Sequence, residues 1–191
     1  MSAKKILLLA GDYVEDYEIM VPFQMLLMVG HQVHAVCPGK KEGDTVATAI
    51  HDFEGDQTYS EKRGHNFRLN ATFDDIDEKA YDALVIPGGR APEYIRLDAD
   101  VRRITEYFFE HDLPVGTICH GPQVPAVYGL LKGRKTAAFP PLWGDMENAG
   151  AILVDAPDVV DGNMVSCRGW PDMPEWSRAF MNVLERSAVP A

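Results

Sequence analysis

The sequence is poor in cysteine and in positive charge. Its three cysteines are odd in number and far apart, and they form no C-x-x-C pair and no zinc-ligand spacing, which argues against a disulfide framework and a metal centre. Eighteen Lys and Arg residues stand against 29 Asp and Glu residues, for a net charge of -11. A surface of that sign repels phosphate backbones and anionic lipids. We therefore expect neither nucleic acid nor a membrane as a partner.

The sequence also lacks a long apolar run. The run that begins at Lys5 reaches Gly11 and Asp12 too soon for a signal-peptide core or a membrane span, so we expect a cytoplasmic protein. The 191 residues are 46% hydrophobic and 25% charged, a balance that is typical of globular proteins. The length favours a single domain, residues 1–191.

Short apolar runs alternate with amphipathic segments along the chain. Continuous apolar runs predict strands buried on both faces of a parallel sheet, and apolar residues at helical spacing predict helices. The predicted strands are 5–10, 32–37, 81–86 and 113–118, with shorter ones near 152–154 and 164–166. The predicted helices are 17–27, with Asp16 as a cap, 101–110, 124–131 and 174–186. The alternation predicts an α/β fold with a doubly wound, mostly parallel sheet, helices on both faces, and functional sites outside the carboxyl ends of the strands.

Residues 45–70 break this pattern. They are polar, charged and without clear periodicity, which predicts an elaborated surface insertion, and loops of that length are usually functional or interface-forming. Several potential metal ligands lie in or near it: His51, Asp52, Glu54, Asp56 and His65. Their spacing fits no ligand template, so we interpret them as solvated side chains.

Cys119 is the first candidate catalytic residue. It lies between a predicted buried strand and the start of a helix, in the sequence Cys119-His120-Gly121-Pro122. Such a sharp turn projects the sulfur out of the sheet, and the N-terminus of the following helix stabilises a thiolate. The alternative is that Cys119 is a small buried hydrophobe and His120 a satisfied polar neighbour. We interpret Cys37 and Cys167, which end or follow strands, as inert core thiols.

Two further segments end at the same predicted edge of the sheet. In Pro87-Gly88-Gly89-Arg90, Gly88 and Gly89 leave room for backbone N–H groups to approach an oxyanion, although a tight turn needs glycine in any case. Glu18 lies on the helix after the first strand, where a lone carboxylate is usually a surface charge. Trp143 and Trp170 lie in predicted loops that either wall a pocket or pack the core.

Five ordered motifs together resemble one family. The segments ILLLAGDYVEDYEIMVPFQML, YDALVIPGGRAPEYIRL, VGTICHGPQ, LKGRKTAAFP and DGNMVSCRG closely resemble the ThiJ/PfpI family, and the resemblance covers roughly Lys4 to Arg186. It implies a flavodoxin-like fold similar to that of the class I glutamine amidotransferases. Residues 45–70 resemble the glyoxalase-III-type branch, and the Cys-His-Gly-Pro turn is similar to the intracellular-protease branch.

The resemblance also implies a role for each candidate. Cys119 matches the nucleophile and Glu18 the carboxyl that contacts its sulfur. His120 matches the neighbouring histidine, and Glu93 matches a glutamate that orients this histidine from an adjacent subunit in the protease branch. Gly88 and Gly89 match the oxyanion loop, with the backbone N–H of His120 as a second donor.

The activity implied first is glyoxalase III or deglycase chemistry on a small 2-oxoaldehyde such as methylglyoxal, with no metal, nucleotide or other cofactor. The alternatives are an intracellular cysteine peptidase or amidase, an isonitrile hydratase, and a stress-protective chaperone or redox sensor. Contact between His120 and the sulfur would favour hydrolysis, whereas an exposed Cys119 of low pKa would favour a sensor. The implied assembly is a homo-oligomer, either a dimer or a hexamer of dimers.

Overall fold

The computed structural model describes residues 2–186, so residue 1 and residues 187–191 of the predicted domain lie outside the described residues. The strands are β1 (Lys5–Leu9), β2 (Val14–Glu15), β3 (Gln32–Val36), β4 (Thr45–Asp52), β5 (Ser60–Arg68), β6 (Ala83–Ile86), β7 (Val115–Ile118), β8 (Lys135–Thr136), β9 (Ile152–Leu153), β10 (Val159–Asp161) and β11 (Met164–Cys167). The helices are α1 (Asp16–Met28), α2 (Ala91–Ile95), α3 (Ala99–Glu110), α4 (Gln123–Val127), α5 (Trp143–Asn148) and α6 (Met173–Arg186). Within residues 2–186, no helix is both long and apolar enough to cross a bilayer.

Six strands form the central sheet, in the order β10-β11-β7-β6-β1-β3. Every pairing in it is parallel except that of β10 with β11. The buried apolar runs of β1, β6 and β7 occupy its centre, as expected for strands covered on both faces. The predicted doubly wound, mostly parallel α/β fold is thus confirmed.

Helices cover both faces of this sheet. Because side chains alternate along a strand, Leu8 of β1 belongs to a core shared with Trp176 of α6, whereas Leu7 belongs to a core shared with Phe108 of α3. All four side chains are fully buried. The two cores fix the sheet between its helices, and the carboxyl ends of β1, β6 and β7 meet at one edge.

Residues 45–70, predicted as an elaborated surface insertion without clear periodicity, contain two regular strands. β4 and β5 pair as an antiparallel hairpin, and β2 pairs with β4 to complete a second sheet of three strands. Along β4, Val46, Ala49 and His51 point inward and are buried, but a register shift between Ala47 and Ala49 interrupts the period of two. This irregularity, together with the polar outer face of β5, hides the strand pattern in the sequence.

Two helix predictions need correction. The helix predicted at 124–131 ends at Val127, because the chain turns at Gly129 with a φ of 76°, a conformation that favours glycine. The side chain that caps α1 is Glu15, which accepts a hydrogen bond from the backbone N–H of Glu18 at 3.0 Å. Asp16 instead accepts hydrogen bonds from Thr48 and His65.

Candidate active site

Cys119 occupies a sharp turn directly after β7. Its φ is 57°, a left-handed conformation that costs a non-glycine residue about 1–2 kcal/mol. Its N–H donates to the carbonyl of Cys167 at 3.1 Å, and the N–H of Gly121 donates back to the carbonyl of Ile118 at 2.7 Å. A side chain at Gly121 would collide with the Ile86 carbonyl. The turn therefore requires glycine at 121 and directs the Cys119 side chain away from the strand.

His120 contacts the sulfur within the same turn. Its Nδ1 lies 3.1 Å from Cys119 Sγ, and its ring stacks on Phe139 with centroids 5.1 Å apart. Burial, helped by the nearby His51, lowers the pKa of His120 to about 4. The imidazole is therefore neutral at physiological pH.

The resting sulfur is a thiol, which differs from the thiolate that the sequence predicts. Cys119 is 6% exposed, and burial followed by the negative charge of Glu18 raises the pKa of its thiol well above the ordinary value. The following helix, α4, has five residues and begins at Gln123, so it is too short and too distant to oppose burial. The sulfur therefore needs a base before it can act as a nucleophile.

Glu18 places a buried carboxyl beside this sulfur. Its side chain is fully buried, its Oε2 accepts a hydrogen bond from the N–H of Gly88 at 2.8 Å, and the carboxyl also interacts with the Cys119 thiol. Burial, followed by the like charge of Glu15, raises the pKa of Glu18 well above its ordinary value. Burial and Glu15, and not repulsion by a Cys119 thiolate, therefore account for the raised pKa of Glu18.

The glycine loop supplies fewer free amides than the sequence predicts. Because the N–H of Gly88 is bound to Glu18, it is not free to bind an oxyanion. Gly89, at a φ of 70°, directs its N–H at the Cys119 sulfur. The backbone nitrogen of His120 lies 2.8 Å from the position that a Cβ on Gly88 would occupy. Gly89 and His120 are therefore the two amides available for an oxyanion.

Glu93 does not join His120 within the chain. It lies on α2 with an exposed side chain, and its charge acts on Tyr59 and Arg90. Since the Tyr59 ring packs edge-on against His120 with centroids 6.0 Å apart, Glu93 lies at the rim of the site and not inside it.

Sequence reasoning missed the wall that the β4–β5 hairpin builds over the site. His51 stacks on Tyr59 with ring centroids 4.1 Å apart, and Glu61 accepts hydrogen bonds from both His51 and Arg90. Arg90 directly follows the glycine loop. The only signal in the sequence was the density of polar side chains in residues 45–70, which gives no indication of what they contact.

The remaining candidates have supporting positions or lie away from the sulfur. Cys37 and Cys167 are buried, as predicted, and burial raises the pKa of Cys37 to about 11. His65 pairs with Asp16, so it belongs to a different network from that of His51. Trp170 packs between Tyr17 and Phe53 and donates from Nε1 to the carbonyl of His51 at 2.8 Å.

A groove of about 540 Å³ lies beside the turn. Apolar side chains dominate its lining, among them Phe53, Phe139 and Trp143, so Trp143 forms part of a pocket wall. Phe139 stacks on His120, and Gly169 of the lining lies beside the Glu18 carboxyl. The groove thus adjoins the site through Phe139 and Gly169, and it has the size of a small-molecule pocket.

Comparison with known proteins gives matches over nearly the whole chain. The model of the DJ-1/PfpI family matches residues 4–183. Protein DJ-1 homolog D of Arabidopsis thaliana is 52% identical over 186 residues, which are 95% of this chain and 48% of that protein. The chain therefore spans about half the length of this relative. Deglycase PfpI of Pyrococcus furiosus is 38% identical over 181 residues, 95% of this chain and 99% of that protein.

Solved structures share the fold. A two-domain protein from Anabaena variabilis, containing DJ-1/ThiJ/PfpI-like and ferritin-like domains, superimposes with a TM-score of 0.80 at 28% identity, covering 98% of this chain and 50% of that one. Schizosaccharomyces pombe DJ-1 superimposes with a TM-score of 0.73 at 18% identity, covering 97% and 100% of the two chains.

Proposed function

The chain belongs to the DJ-1/PfpI family, also called ThiJ/PfpI, and on that premise we propose that it is a cysteine-dependent, cofactor-free glyoxalase-III or deglycase-type enzyme. Its substrates would be small 2-oxoaldehydes such as methylglyoxal, and its products 2-hydroxy acids. Relatives named as deglycases, at 37–39% identity, support an enzyme of this kind.

One observation carries the choice of reaction: a fully buried carboxyl of raised pKa, Glu18, beside the thiol of Cys119. Conversion of a 2-oxoaldehyde to a 2-hydroxy acid moves hydrogen between adjacent carbons, so it needs a group that gives and takes a proton next to the nucleophile. A raised pKa favours the protonated carboxyl, which can start by donating. Plain acyl transfer has no such requirement.

The reaction begins with the sulfur. His120 Nδ1 takes the thiol proton while Cys119 Sγ bonds to the aldehyde carbon. The amides of Gly89 and His120 stabilise the alkoxide, which Glu18 then protonates to give a hemithioacetal. No external reagent is consumed, and the thiol proton stays on His120.

Isomerisation and hydrolysis follow. The carboxylate of Glu18 removes the hydrogen of the former aldehyde carbon as a proton and returns it to the adjacent carbon, while the hydroxyl proton passes between the two substrate oxygens. The product of this step is a thioester of a 2-hydroxy acid on Cys119. Water then cleaves the carbon–sulfur bond: its oxygen bonds to the thioester carbon and one of its protons leaves to solvent. The sulfur regains its proton from His120, and Glu18 regains from solvent the proton that it gave to the alkoxide.

Hydrolysis of an amide or peptide is the second candidate function. The 3.1 Å contact of His120 Nδ1 with Cys119 Sγ favours it, since a base beside the sulfur is what an acylating thiol requires. A redox sensor has less support, because Cys119 is buried and its pKa is raised, whereas sensor thiols are exposed and of low pKa.

The test is a screen of the purified protein for lactate formation from methylglyoxal without glutathione, run beside a peptidase assay. We expect lactate that depends on Cys119 and on Glu18. Peptide cleavage without lactate formation would favour the second candidate, and neither activity would reject both.

A further inference from the structure

The β4–β5 hairpin places a buried histidine, paired with a more exposed carboxylate, in the wall of the site. His51 is 3% exposed, and its Nε2 lies 2.9 Å from Glu61 Oε2. Arg90 Nε and Nη2 hold the same carboxylate at 2.8 and 2.9 Å. Burial opposes ionisation of Glu61, but the hydrogen bonds from Arg90 and His51 outweigh it and lower its pKa.

The tautomer of His51 follows from this partner. An ionised carboxylate only accepts hydrogen bonds, so Nε2 carries the hydrogen that faces Glu61, and Nδ1 is the ring nitrogen left to act on another partner. That Nδ1 is buried and has no hydrogen-bond partner among residues 2–186. A histidine held at one nitrogen by a carboxylate and free at the other is the arrangement of a general base.

Three contacts fix His51 at the site. Its ring stacks on Tyr59, which packs edge-on against His120. Its backbone N–H donates to the carboxyl of Glu15, and its carbonyl accepts the N–H of Trp170. The ring therefore cannot turn away from the site without breaking this packing.

The reaction needs a second base at its last step. His120 holds the thiol proton that the leaving sulfur must regain, and with a pKa of about 4 it accepts a proton from water poorly. The Glu18 carboxyl is fully buried and bound to Gly88. Neither group is therefore well suited to activate the attacking water.

We propose that His51, oriented by Glu61, is the general base that activates water to hydrolyse the thioester on Cys119. The water oxygen bonds to the thioester carbon as His51 Nδ1 takes one of its protons. The carbon–sulfur bond then breaks, the sulfur takes its proton from His120 Nδ1, and His51 releases its proton to solvent. This assignment rests on the proposed function only in requiring a thioester on Cys119.

p-Nitrophenyl acetate tests the step without the natural substrate. It acetylates a reactive cysteine and releases p-nitrophenolate, a leaving group that needs no proton, in an initial burst. The slower steady rate that follows measures hydrolysis of the acetyl group from Cys119. We compare wild type with His51→Ala and Glu61→Gln. The matched control is His65→Ala, which removes an exposed histidine of the same hairpin that pairs with Asp16 of α1.

For His51→Ala we expect a full burst of p-nitrophenolate, followed by hydrolysis slowed roughly 10- to 100-fold, with acetyl-Cys119 accumulating in the intact mass. Added imidazole should restore hydrolysis, Glu61→Gln should slow it less, and His65→Ala should match wild type. Hydrolysis within about twofold of wild type in His51→Ala would overturn the proposal. An equal loss in burst and hydrolysis rates, without rescue by imidazole, would overturn it too, since His51 would then only position His120.

The two parts of the time course separate this proposal from the proposed function. The burst reports on Cys119 as a nucleophile, and its absence in wild type would count against both proposals. A normal burst with an unaltered hydrolysis rate in His51→Ala rejects only the role of His51.

Discussion

The backbone N–H of Gly88 donates a hydrogen bond to Glu18 Oε2 at 2.8 Å. This bond joins two residues 70 positions apart and holds the carboxyl beside the Cys119 sulfur. Because its N–H is already bound, Gly88 is not among the amides that can bind an oxyanion. Gly88 thus positions the Glu18 carboxyl, and Gly89 has the amide that remains for an oxyanion.

Substitution at Gly88 should therefore disable the site. A Cβ there would stand 2.5 Å from Glu18 Oε2 and 2.7 Å from Cys119 Cβ, so Gly88→Ala must displace the carboxyl or the turn. We expect loss of nearly all activity. Gly144→Ala is the control, because a Cβ at Gly144 meets nothing within 4 Å; in α5 it should add about 0.5–1 kcal/mol of stability. Steady-state kinetics and urea unfolding check both variants, and normal turnover in Gly88→Ala would contradict this geometry.

Cys119→Ala should abolish turnover while costing only about 1 kcal/mol of stability, since it removes one sulfur atom from a turn. Cys37→Ser and Cys167→Ser should keep the chemistry, although each places a hydroxyl in the core and should lower stability by about 1–3 kcal/mol. Lactate production and urea midpoints measure the two effects separately. Substantial turnover by Cys119→Ala would rule out the mechanism.

Glu18→Gln should separate proton transfer from addition. The amide can still occupy the site beside the sulfur, but it cannot move a proton between carbons, so glyoxalase turnover should fall by about 100-fold or more. Alkylation of Cys119 by iodoacetamide should persist. Asp16→Asn, on the same turn of α1 but paired with His65, is the control. Lactate formation at the wild-type rate would reduce Glu18 to a structural partner.

Stability should fall as pH rises, because of Glu15. Burial, opposed in part by hydrogen bonds from backbone amides, raises its pKa from an ordinary 4.5 to about 7. Between these values the folded state binds more protons than the unfolded state, so the free energy of unfolding decreases with increasing pH, by on the order of 3 kcal/mol. The loss of unfolding free energy caused by Glu15 is absent below pH 4.5 and complete above pH 7.

Urea unfolding across this range in Glu15→Gln and Asp16→Asn isolates the contribution of Glu15. Glu15→Gln should reduce the slope of unfolding free energy against pH, because its amide keeps the helix cap but does not ionise. Asp16→Asn should retain this slope. An unchanged slope in Glu15→Gln would assign the effect to another group.

Glu93 tests the proposed assembly. Its exposed position at the rim of the site fits a role toward His120 of a neighbouring subunit, which would require a homo-oligomer. Mixing Cys119→Ala with Glu93→Ala under conditions of subunit exchange should then regain activity, because mixed dimers contain one site with both residues intact. No regain after proven exchange would place Glu93 in its own chain or outside the mechanism.

The sequence alone determined the frame of the site. Buried apolar runs ending at Gly11, Pro87 and Cys119 define parallel strands, and the carboxyl ends of such strands meet at one edge. This rule places Glu18, the glycine loop and Cys119 at the same edge of the sheet. The tight turn at Cys119 was equally readable, since Gly121 is a local requirement of the backbone.

Only the tertiary structure decided how these residues behave. The protonation of Cys119 and Glu18 depends on burial, and burial depends on side chains from distant segments. His51 and Glu61 reached the site through a hairpin whose irregular register and polar outer strand conceal its period, so no local pattern assigned them to it. Local propensity and periodicity encode elements and turns, whereas desolvation and long-range hydrogen bonds exist only once those elements have packed.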